Sequence, residues 1–192
     1  MKNIMTFFKR ERNRILILVC IVACWCAYVF FSDHTAFVQD ILEHNYKTAF
    51  ILKDKTSLNG TALYEKYRFY PEDNPDIIVE AVYDEGFRWD DSSLFPSFYH
   101  KRSDDNFENA LKQYAINYIL SDDVIDLDKT DNAANTIYYI QTEIDNLFRK
   151  YNITVTKYSS AIELDIIKGR KTRKIEFWEH DINTINRLLA DV

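Results

Sequence analysis

Apolar and polar positions follow three rhythms along this chain, and each predicts a different element. The first is an unbroken run: Ile15–Phe31 holds seventeen consecutive apolar or aromatic residues without a charge. At about 1.5 Å of rise per residue it makes roughly 25 Å of helix, set against a hydrocarbon core of about 30 Å. Lys2, Lys9, Arg10, Arg12 and Arg14 precede the run, and Ser32, Asp33 and His34 follow it. Cations stay on the cytoplasmic side of a membrane helix. The pattern therefore predicts a cytoplasmic basic tail over 1–14 and a single-pass transmembrane helix over 15–31, touching the lipid bilayer. The remainder is expected to be periplasmic or extracellular, on the outer face of the cytoplasmic (inner) membrane. A cleaved signal wants small residues at its end, and Ala27-Tyr28-Val29-Phe30-Phe31 is bulky. Ile21-Val22-Ala23-Cys24 has the order of a lipid-attachment site, but the chain stays apolar after Cys24. A retained signal-anchor is the preferred expectation over a lipoprotein at Cys24.

The second rhythm is helical. Phe37, Ile41, Leu42 and Tyr46 share a side, so 32–47 reads as a juxtamembrane helical stalk, with Asp33 or Thr35 as cap if the helix restarts. Phe107, Leu111, Tyr114, Ala115 and Tyr118 mark a helix capped by Asp104 or Asp105. Ile137, Ile140, Ile144, Leu147 and Phe148 mark another over Ala133–Tyr151, and Asp181 caps a short terminal one.

The third rhythm is alternation. Thr48–Lys53, Thr61–Tyr70, Asp76–Tyr83 and a short Phe87–Trp89 read as an antiparallel meander, with Asn59-Gly60 as a hairpin turn. Ile153–Tyr158, Ala161–Ile167 and Thr172–Trp178 read as later strands, and Ile162, Leu164 and Ile166 oppose Glu163 and Asp165. The fold class expected is α+β. One N-terminal transmembrane helix leads to a single extracytoplasmic domain over 48–192. In that domain a mainly antiparallel sheet is packed by two central helices and a short C-terminal helix.

Charge sharpens this picture. The chain carries −6 overall, yet its first fourteen residues carry +4, so the rest carries −10. An acidic domain disfavours nucleic acid and suits a basic partner. Cysteine stops at Cys26, which excludes disulfides in the domain, and Cys20, Cys24 and Cys26 read as small apolar filler in a helix. Only Gly60, Gly86 and Gly169 occur. Phosphate-cradling loops and nucleophile elbows need clustered glycines, so neither is expected.

Candidate chemistry is sparse. Asp122, Asp123, Asp126, Asp128 and Asp131 fail a calcium-loop register: from Asp126, the sixth position is Asp131 rather than glycine and the twelfth is Ile137. The four histidines show no pair at ligand spacing, and the run Glu176–Asp181 offers only His180. No metal, cofactor or catalytic residue is expected. What stands out is aromatic and acidic together: Trp89, Asp90, Asp91, Phe95, Phe98 and Tyr99 read as a partner-binding surface. The expected function is that of a non-enzymatic, membrane-tethered protein-interaction domain with a basic protein partner. In layout it resembles immunity proteins and accessory subunits of envelope or secretion complexes. The alternatives are an envelope-glycan hydrolase or cation-dependent enzyme using acids near 89–93, and a small-ligand sensor.

Overall fold

The computed structural model describes residues 2–57, 60, 64–88, 97–120, 123–178 and 180–192, side chains excepted at 2–13, 29–30, 85–88 and 97–104. Among these residues the chain is α+β, with five helices and two small sheets. The helices are α1 (Lys2–Phe31), α2 (Thr35–Tyr46), α3 (Phe107–Ile119), α4 (Ala133–Lys150) and α5 (Ile182–Ala190). Strands β1 (Phe50–Ser57), β2 (Tyr64–Pro71), β3 (Val79–Arg88) and β4 (Ser97–Asp105) form an antiparallel meander. Strands β5 (Val124–Asp126), β6 (Ile162–Lys168) and β7 (Lys171–Phe177) form the second sheet, in that order.

The expected transmembrane span is not found. Among the described residues no helix is long and apolar enough to cross a membrane. Helix α1 runs for 30 residues, but its uncharged stretch is the seventeen residues between Arg14 and Ser32. That is roughly 25 Å of helix against a core of about 30 Å. The membrane-anchored layout is corrected accordingly, and the inside–outside placement of the rest of the chain rested on that span alone. On α1, Ile15, Leu16, Ile17 and Leu18 are each more than half exposed, and Cys20, Cys24 and Cys26 are free. The helix stops at 32–34 and restarts as α2. Asp33 holds the restart, accepting from the Thr35 backbone N–H at 3.0 Å and the Thr35 hydroxyl at 2.6 Å. Val38 and Leu42 of α2 are fully buried in the common core.

The single expected sheet is two. Strand β5 is three residues inside the acidic connector, too short to show a period, and pairs parallel with β6 from Val124↔Asp165 to Asp126↔Ile167. Strand β4 lies where the sequence pattern predicts no strand, because Ser-Phe-Tyr-His-Lys-Arg-Ser-Asp-Asp carries no apolar–polar alternation. It runs into Asp104 and Asp105, so the cap of α3 falls to Asn106. Asp105 Oδ1 still accepts from the Phe107 N–H at 3.1 Å. The expected strand Ile153–Tyr158 is absent because α4 ends there in a Schellman closure. Asn152 takes φ 59°, its N–H bonds the Arg149 carbonyl, and the Ile153 N–H bonds the Phe148 carbonyl.

The core forms where the patterns agree. The stripe Ile137, Ile140, Ile144 and Phe148 of α4 is fully buried with Leu164 and Ile166 of β6. Each such side chain contributes about 1.5–3 kcal/mol relative to exposure. Phe107 joins the parts, its ring 4.5 Å from Tyr46, 5.4 Å from Phe50 and 5.1 Å from Tyr151 between ring centres.

Candidate functional site: grooves flanking helix α3

Strand period places the acids. In β6 the apolar set Ile162, Leu164 and Ile166 turns inward, so Glu163 and Asp165 turn out. The register of β7 then sets Glu176 directly opposite Glu163, and Lys174 opposite Asp165. Pairing beside β5 adds a fourth acid: the Asp165 N–H bonds the Asp123 carbonyl at 2.9 Å. Helix α3 lies alongside, tied down by Lys112, whose Nζ donates to the Ala161 carbonyl at 3.0 Å. The result is a groove of about 430 Å³ with Asp123, Glu163, Asp165 and Glu176 facing Lys112 and Lys174.

The charges are unevenly matched. Lys174 Nζ sits 3.0 Å from Glu163 Oε2. Its pKa is raised by the hydrogen bond to Glu163 first, then by the charges of Glu163, Asp165 and Asp123. Lys112 is partly buried, and desolvation lowers its pKa despite the nearby Glu108 and Glu176 carboxylates. Glu176 and Glu163 remain a like-charge pair across the strands, an arrangement that is destabilising. The groove therefore carries unneutralised negative charge on a fixed backbone.

A second groove, about 740 Å³, lies on the other side of α3 toward the segment ahead of β3. Asp76, Asn109, Gln113, Tyr114, Asn117 and Tyr118 give it its chemistry. Tyr114 and Tyr118 stack with ring centres 6.1 Å apart and planes 19° from parallel. Gln113 Nε2 bridges the two grooves, donating to Asn117 Oδ1 at 3.1 Å and Asp123 Oδ1 at 2.9 Å.

Of the residues picked from sequence as a partner-binding surface, Trp89, Asp90, Asp91 and Phe95 lie outside the described residues. Phe98 and Tyr99 belong to β4, paired with Phe87 and Gly86, and their side chains lie outside the description too. In the acidic connector, Asp126 bonds Lys129 at 2.7 Å and Asp128 Oδ2 accepts from the Gly169 N–H at 2.7 Å. Those carboxylates hold turns. Among the described residues no three His, Cys, Asp or Glu side chains are placed to hold a metal ion.

Two polar clusters were not anticipated. His180 Nδ1 lies 3.4 Å from Asp145 Oδ2, its Nε2 lies 3.0 Å from the Thr142 hydroxyl, and its ring packs on Tyr138. Buried Gln141 donates to the Phe177 carbonyl at 3.1 Å. The signal was available, since Gln141 and Asp145 interrupt the apolar stripe of α4 one turn apart. In β2, buried Glu65 accepts from the Tyr67 hydroxyl, and burial with that bond pushes the Tyr67 pKa far up. His34 stacks on Tyr83 at 4.1 Å beside this cluster. The chain matches no protein family model, no curated protein and no solved structure.

Proposed function

We propose that this protein is a non-enzymatic interaction module that binds a basic protein segment in the acidic groove between α3 and the β5–β6–β7 sheet. One observation carries this: four carboxylates share the groove with two lysines, of which Lys174 pairs with Glu163 while Lys112 donates to the Ala161 carbonyl, so Glu176 stands directly opposite Glu163 as a like charge. An arginine or lysine side chain entering there relieves the repulsion and finds Asp165 beside it. The chain's net charge of −6 attracts such a partner over distance and repels nucleic acid.

A labelled oligo-arginine peptide tests this by fluorescence anisotropy. Saturable binding is expected, weakening as salt rises. Neutralising the groove with Glu163→Gln, Asp165→Asn and Glu176→Gln together lowers affinity about tenfold, since each exposed pair is worth roughly 0.2–1 kcal/mol. Equal binding of oligo-glutamate, or undiminished affinity in the triple variant, contradicts the proposal.

A further inference from the structure

We propose that the second groove beside α3 is a binding site for a neutral oligosaccharide, with Tyr118 as its stacking platform and Asn109, Gln113 and Asn117 as its hydrogen-bonding edge. Tyr118 is 69 % exposed although it sits in a well-packed helix, and it lies nearly parallel to Tyr114 one turn earlier. The exposed Tyr118 ring, backed by Tyr114, offers a flat apolar face of the kind that the C–H face of a pyranose covers.

The three carboxamides lie four residues apart, along one side of α3. A carboxamide combines an acceptor oxygen with donor hydrogens in one plane, which suits hydroxyl groups that both donate and accept; Gln113 spends its Nε2 on Asn117 and Asp123 and keeps its oxygen as an acceptor. Gln113 is held in place by Asp123 and Asn117, so this edge is partly preorganised.

Charge narrows the ligand. Among the described residues no lysine, arginine or histidine lines the groove, and the one charged residue is Asp76. Phosphorylated, sulfated and uronic saccharides are therefore disfavoured. An extended peptide would seek unpaired backbone groups, and the floor here is a helix whose backbone bonds are closed internally. This site shares Asn109 and Gln113 with the acidic groove but not Glu163, Asp165 or Glu176, so a failure of oligo-arginine binding leaves it untouched.

The test follows the side-chain NH₂ resonances of Asn109, Gln113 and Asn117 in the ¹⁵N-labelled full chain. The probes are maltotriose, cellotriose and chitotriose, with tetra-alanine and trigalacturonic acid as controls. At least one neutral trisaccharide is expected to shift these resonances saturably, more strongly than either control. Tyr118→Phe keeps the platform and should keep the binding. Tyr118→Ala, an exposed position where truncation spares the core, should lose about tenfold. No shift with any of the neutral probes, equal shifts with tetra-alanine, or unchanged affinity in Tyr118→Ala overturns the proposal.

Discussion

Phe107 opens α3 and touches aromatic rings from α2, from β1 and from the end of α4. Truncating it removes one side chain and three interfaces at once. Phe107→Ala should lower unfolding stability by about 3–5 kcal/mol in denaturant melts. Asp33 acts differently, through charge. Its bonds to Thr35 and Lys55 hold its pKa near 2, below the ordinary 3.8. A carboxylate with a depressed folded-state pKa adds stability that is complete above the unfolded value and is lost as pH falls through the folded one. Thermal stability should therefore fall between pH 3.8 and about 2, and Asp33→Asn should flatten that part of the profile. Phe107 was legible in the sequence as an apolar helix position. The partners of Asp33 were legible only in part, because Lys55 reaches it from another element.

Among elements, α4, β6, β7 and α5 follow their sequence period closely, because burial on one face imposes a repeat that survives in composition. The Asp181 cap is an example: its carboxylate accepts from the Asn183 and Thr184 N–H groups. Asp181→Ala should loosen the start of α5, seen as faster amide exchange at Asn183 and Thr184. Strands β4 and β5 were not legible. One shows no alternation after Tyr99 and is fixed by pairing with β3, and the other is too short to carry a period and is fixed by pairing with the distant β6. The acidic groove was half legible. The outward Glu163 and Asp165 came from alternation, but their opposition to Glu176 and Lys174 is a matter of register. Register also gives a two-sided prediction. Glu176→Gln removes a like-charge neighbour and should raise stability by about 0.2–1 kcal/mol, while weakening oligo-arginine binding two- to fivefold. A loss in both would show that Glu176 is a structural residue.

Over the whole molecule, the sequence drew attention to seventeen apolar residues at one end, whereas the two grooves of the proposed sites lie along α3. The same helix separates two grooves of different chemistry, one charged and one neutral. A site assembled from α3, β5, β6 and β7 is spread over about seventy positions of sequence, and no local motif announces it. The −6 net charge was the one global sign of it. The most direct measurement is a map of backbone amide shifts in the ¹⁵N-labelled chain as oligo-arginine is added at low salt. The account predicts that the shifts gather on Lys112–Ile116, Asp123, Glu163–Asp165 and Lys174–Glu176. Shifts centred on α5 or on the β1–β4 meander, or no saturable shift at all, would contradict it.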